Sequence, residues 1–139
     1  MQDRPKPEQL LEAVAAFLRE QVVPSTRGPL AFHARVAANA LDIARREVAL
    51  APAAEARERA LLVALLGADA PRDVAQLNRL LCERIDADAM DLRTPGLADA
   101  LWRITLDKLA VDQPGYDTNR RAMGRSPAGI DEPAASRRR

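Results

Sequence analysis

Four polar side chains recur at helical spacing in the segment 30–50, which contains neither glycine nor proline. Because an α-helix turns by roughly 100° per residue, the four share one narrow stripe: Arg35, Asn39, Asp42 and Arg46. The pairs Arg35–Asn39 and Asp42–Arg46 are spaced for weak contacts along a solvent-exposed helix. The alternative is a partner-binding face, in which two arginine forks bind carboxylate or phosphate.

A second polar set lies among apolar residues and therefore needs partners. His33 and Glu47 fall on the apolar side of the same predicted helix, and Lys108 lies within an apolar stripe further along the chain. We interpret His33 as a core histidine, and Lys108 as the partner of Asp112 or, in a clamp between helices, of Glu47. Alternatively, His33, Glu47 and Lys108 converge on a pocket, and the protein is a small ligand-binding or enzymatic bundle.

The sequence lacks the spacings of the common catalytic and cofactor motifs. Gly-rich phosphate loops, HExxH, CxxC and GxSxG are all absent. One histidine and one cysteine do not supply a typical zinc site. We therefore predict no catalytic residue, no metal and no cofactor, and we do not expect a stand-alone metalloenzyme, kinase or hydrolase.

Composition narrows the class of protein further. Aromatic residues are 3% of the chain, so the core must be built from Leu, Ala and Val. The net charge is +1, with no gathering of basic residues typical of nucleic-acid binding. The longest apolar runs are far shorter than the roughly 20 residues of a membrane span, and the single Cys82 favours a reducing compartment. We expect a cytoplasmic protein that binds neither nucleic acid nor membrane.

Prolines and glycines divide the sequence into about five helical segments. We therefore predict an all-α fold, an antiparallel bundle of about five helices. The first helix begins at Pro7 and ends at Pro24, with Arg19 facing water; the second covers 30–50 and is enclosed on several sides. Pro52 separates it from a third helix, which Gly67 ends. A fourth begins near Asp69 and Pro71, and a fifth runs from Thr94 and Pro95 to Asp112.

The fifth helix has two apolar sectors, and one of them contains Trp102. Packing against two neighbouring helices explains this pattern. A homodimer contact through an exposed Trp102 explains it too, because tryptophan is enriched at interfaces. The bundle is expected over residues 1–116. Residues 117–139 are predicted to be a disordered basic tail, because Met123 and Ile130 are its only large apolar side chains.

Three segments in this order resemble a known family: RPKPEQLLEAVAAFLRE, GPLAFHARVAANALDIARRE and LDKLAVDQPGY. The family consists of small bacterial proteins without an assigned molecular function. Its members are typically encoded beside kinases that resemble aminoglycoside phosphotransferases, and beside acyl-CoA dehydrogenases. The resemblance covers about 3–116, and the shared positions are Phe32, His33, Arg35, Asn39, Glu47, Lys108 and Asp112.

The resemblance implies a companion role. The neighbouring kinases resemble enzymes that phosphorylate the hydroxyl group of hydroxyacyl-CoA thioesters and so prepare it for elimination. It therefore implies a non-catalytic accessory subunit of such a kinase in fatty acid catabolism, with the acyl-CoA dehydrogenase as a further partner. The chain has no nucleotide-binding motif of its own, so phosphoryl transfer would depend on the kinase.

Overall fold

The computed structural model describes residues 4–67, 73–117 and 121, and these residues form an all-helical fold. The prediction of an all-α protein is confirmed for this part of the chain. It contains four long helices, not five: α1 (Pro7–Phe17), α2 (Gly28–Leu66), α3 (Val74–Asp86) and α4 (Leu97–Asp112). The predicted second and third helices are one continuous helix, and this accounts for the lower number.

Helix α2 passes through Pro52, where the sequence predicted a break. Proline removes one backbone hydrogen bond and crowds the preceding turn, so something must hold the two halves in line. Helix α4 does so: on one side of Pro52, Arg46 donates to the Val111 carbonyl, and on the other, Arg57 binds Asp107. Contacts that are distant in sequence thus override the local signal.

Replacing Pro52 by alanine should stabilise the protein. The substitution restores the missing helical hydrogen bond and removes a helix-interior cost of up to about 3 kcal/mol. We expect the free energy of unfolding to rise by about 1–3 kcal/mol in urea titrations followed by circular dichroism. Pro29→Ala is the matched control, because Pro29 lies in the first turn of α2, where proline is tolerated. A Pro52→Ala protein no more stable than the control would contradict this account of α2.

Helix α1 begins at Pro7 as predicted, and the helical path continues beyond Phe17 as a π-helical turn, Leu18–Val22. The wider turn has a local cause, because Pro24 has no N–H to offer the Glu20 carbonyl. The Val23 N–H instead reaches back five residues to the Leu18 carbonyl. The hydroxyls of Ser25 and Thr26 then donate to the carbonyls of Gln21 and Val22 at 2.5 and 2.7 Å, and the path ends.

All the other helices pack on α2, which at 39 residues is roughly 58 Å long. Helix α1 packs on its N-terminal half, where the buried residues are Ala31, Ala34 and Ala38. Helices α3 and α4 pack on its C-terminal half and complete one apolar core. That core consists of Leu62, Leu66, Leu77, Leu81, Met90, Leu97 and Ile104.

The expectation that the segment 30–50 is enclosed by its neighbours is wrong. In this segment the buried residues are Ala31, Ala34 and Ala38, on the side of the helix that packs against α1. The large apolar side chains on its other sides are exposed. The large apolar side chains of α1 are likewise outside the core: Ala15 is the buried residue of that helix, and Leu10, Val14 and Phe17 are about half exposed. The apolar pattern predicted helices in these segments, but it did not predict which of their faces other helices cover.

The remaining boundaries follow local signals in part. Helix α2 ends at Leu66 before Gly67, as predicted, and α3 is capped by Asp73, whose carboxylate accepts the Gln76 N–H at 3.0 Å. The predicted cap at Asp69 lies outside the described residues. Helix α4 begins after Gly96, whose φ of 81° is left-handed, and not at Thr94. The predicted tail, apart from Asp117 and Arg121, is also outside them.

Within the described ranges, no helix combines the length and the apolar character needed to cross a membrane.

Candidate functional site

The polar stripe of α2 is bound by Arg19, which the π-helical turn brings to this face. The Nη2 atom of Arg19 donates to the Asn39 side-chain oxygen and to the Ala38 carbonyl, each at 3.3 Å, and forms an ion pair with Asp42. The Asp42 carboxylate also lies 3.9 Å from Arg45. The partners of Asn39 and Asp42 therefore differ from the predicted ones. Arg19 itself does not simply face water.

The two other members of the stripe have different environments. Arg46 is half-buried, and its Nε donates to the Val111 carbonyl at 2.5 Å. This carbonyl belongs to the last turn of α4, where carbonyls lack helical partners and a cation is favourable. Arg46 is therefore a structural residue. Arg35 is exposed, and no hydrogen bond or ion pair joins it to any described residue.

Helices α2 and α4 border an open cleft of about 240 Å³ near Pro52. The cleft brings together three of the predicted site residues: Glu47, Lys108 and Asp112. His33 stays outside it, because it precedes Glu47 by fourteen positions, or roughly 21 Å along the helix axis. His33 is exposed, with its ring 5.5 Å from that of Phe32. The interpretation of His33 as a core residue is therefore wrong.

The ionic contacts around the cleft hold helices together. The Lys108 ammonium lies 3.8 Å from Glu58, and within the described residues no ion pair joins it to Glu47 or Asp112, the predicted partners. The Glu58 carboxylate also accepts a hydrogen bond from Asn78 of α3 at 2.7 Å. Arg57 binds Asp107 through two hydrogen bonds of 2.8 and 3.1 Å. The hydrogen bond and the negative charge of Asp107 raise the pKa of Arg57 above its usual value. This arrangement fixes α3 and α4 on α2.

A row of large apolar side chains, here the Phe32 stripe, lies uncovered on α2 and consists of Phe32, Val36 and Ile43. Their exposed fractions are 56, 48 and 38%. The spacing of four and seven residues puts them on one side of the helix, turned away from the buried alanines that face α1. Large apolar side chains that are exposed together on one side of a helix are typical of an interaction surface.

The Phe32 stripe continues the side of α2 that α4 covers. Eighteen residues are five full turns of an α-helix, so Val36 lies in line with Ala54, and Ile43 in line with Leu61. Ala54 and Leu61 border the grooves between α2 and α4. Helix α4 ends beside Arg46, and the Phe32 stripe begins one turn further on. The packing surface of α2 is therefore longer than the helix that occupies it.

Two further apolar regions are exposed. Leu10, Val14 and Phe17 form a stripe on α1, and Trp102 of α4 is 50% exposed. The sector that contains Trp102 is thus partly outside the core, as a contact with another chain requires. Nothing in the sequence distinguished exposed from buried apolar stripes, because the helical periodicity of the two is the same.

Among the residues that the structure describes, no group of three or more histidine, cysteine, aspartate and glutamate side chains is arranged to hold a metal ion. The chain matches no curated protein and no solved structure. It does match a domain of unknown function, DUF6285, over residues 24–116. The match begins just after the π-helical turn Leu18–Val22 and ends shortly after α4, so it covers most of the chain. The chain therefore belongs to the DUF6285 family.

Proposed function

We propose that this chain is a non-catalytic accessory subunit of a phosphotransferase-like kinase that acts in cytoplasmic hydroxyacyl-CoA catabolism. The kinase is the partner that the family resemblance implies. The observation that supports the proposal is the uncovered Phe32 stripe, because a helix that exposes Phe32, Val36 and Ile43 in one line has apolar surface available to another chain.

The sequence after α4 contains few large apolar side chains that could cover the Phe32 stripe. After α4, the sequence from 117 to 139 contains two large apolar side chains, Met123 and Ile130, among polar residues, alanines, glycines and prolines. A partner helix laid along α2 beyond the end of α4 would bury the Phe32 stripe by ridge-into-groove packing. Such a contact stabilises the kinase without requiring any catalytic group from this chain.

The test is reconstitution of the two purified proteins. The phosphotransferase-like kinase from the same organism should co-purify with this chain, and its rate of hydroxyacyl-CoA phosphorylation should rise when the chain is added. An unchanged rate together with no complex at micromolar concentrations would refute the proposal. The acyl-CoA dehydrogenase implied by the resemblance is tested in the same way, as a second co-purification.

A homodimeric scaffold is the second candidate, and the half-exposed Trp102 supports it. Tryptophan is among the side chains that dominate interface energies. Light scattering at high protein concentration distinguishes the two candidates: a mass of twice 15.2 kDa that Trp102→Ala reduces to the monomer supports the dimer. A monomer under all conditions removes it.

A further inference from the structure

We propose that Arg19, Arg35 and Asn39 form a binding site for a phosphate group, either free phosphate or a phosphomonoester. The three residues and Val23 line one cavity of about 230 Å³ between the π-helical turn and α2. The site adjoins the Phe32 stripe on α2 but shares no residue with it, and its binding of phosphate does not depend on the proposed kinase partner.

Arg19 is already held in place, and this reduces the entropic cost of binding an anion. All three of its contacts to α2 are made by Nη2, to Ala38, Asn39 and Asp42. The Nη1 and Nε atoms form no hydrogen bond within the described part of the chain. An arginine fixed on one side of its fork presents the donors of the other side in a defined direction, as recognition of phosphate requires.

Asn39 and Arg35 supply the other donors. The Asn39 side-chain oxygen accepts from Arg19, so its amide N–H₂ group remains a donor. Arg35 lies one turn before Asn39 on the same stripe and carries a charge that no described carboxylate offsets. Asp42 offsets one of the neighbouring arginines but does not line the cavity. The cavity therefore has an excess of positive charge and several N–H donors.

The local backbone also points to a site. π-Helical turns are rare and are frequently found at functional sites. Here the turn Leu18–Val22 contains Arg19, whose guanidinium bridges to α2. Val23 gives the cavity one apolar wall, which suits the ester group of a phosphomonoester better than a fully hydrated ion.

The experiment is calorimetric titration of the full chain at low ionic strength, with inorganic phosphate and phenyl phosphate as the two probes. Saturable binding of one anion per chain is expected. Tighter binding of phenyl phosphate assigns the site to a phosphomonoester, and equal or weaker binding assigns it to free phosphate. Arg35→Gln should weaken binding about tenfold or more, since it removes a charge-assisted donor.

Asn39→Asp is the sharper variant, because it keeps the oxygen that accepts from Arg19 and replaces the donor group by a second oxygen. It should abolish binding, while Arg103→Gln, at an exposed arginine in the groove between α2 and α4, should leave it unchanged. Circular dichroism confirms that each variant is folded. Absence of saturable heat with both probes, or affinity that Arg35→Gln and Asn39→Asp leave unaltered, would overturn the assignment.

Discussion

Phe32→Asp should lower the affinity of this chain for its kinase partner by about a hundredfold or more. Truncating a central aromatic residue of an interface costs about 2 kcal/mol or more, and burying an unpaired carboxylate adds its desolvation cost. Together these exceed the roughly 2.8 kcal/mol that a hundredfold change represents. The measurement is the dissociation constant of the complex, by calorimetry or surface plasmon resonance.

Leu92→Asp is the matched control for Phe32→Asp. Leu92 is 83% exposed in the connection between α3 and α4, away from the Phe32 stripe. Introducing an aspartate there should leave the affinity unaltered. The isolated Phe32→Asp protein should also keep the thermal midpoint of the parent within a few degrees, because surface substitutions cost little. Equal loss of affinity in both variants would show that the stripe has no special role.

Leu62→Ala should be among the most destabilising single truncations in the molecule. Leu62 is fully buried where α2, α3 and α4 meet, in contact with the rest of the apolar core. Removing three buried carbons and leaving a cavity costs about 2–5 kcal/mol, a large share of the stability of a small domain. Urea unfolding followed by circular dichroism gives the change in free energy.

The control for the core prediction is Leu92→Ala, which deletes the same atoms from an exposed side chain. Its free energy of unfolding should stay within about 0.5 kcal/mol of the parent. If Leu62→Ala were tolerated equally well, the C-terminal half of α2 would not be the centre of the core. The fold described above would then be contradicted.

Local signals in the sequence predicted the helices well where local chemistry decides. The start of α1 at Pro7, the stop at Gly67 and the end of α4 at Asp112 all follow from residues within one turn of the boundary. The predicted break at Pro52 is wrong because the local cost of the proline is offset by contacts to α4, a helix distant in sequence. Contacts between residues so far apart in the sequence cannot be predicted from local spacing.

The sequence predicts the members of the polar stripe on α2 but not their partners. The spacing of Arg35, Asn39, Asp42 and Arg46 correctly placed them on one helix, yet the partner of Asp42 is Arg19 and that of Arg46 is the Val111 carbonyl. No signal in the sequence indicated that Arg19, in the π-helical turn Leu18–Val22, would reach α2. The same limit explains the exposed Phe32 stripe, since periodicity shows that a face is apolar and not what covers it.

Oxidative footprinting of the Phe32 side chain, with and without the kinase, tests the central claim most directly. Hydroxyl radicals modify exposed aromatic side chains, so Phe32 should be modified readily in the isolated protein. In the complex its modification should fall severalfold, while that of Leu92 stays constant. Modification of Phe32 at the same rate in the presence of saturating kinase would contradict the claim that a partner chain covers this face of α2.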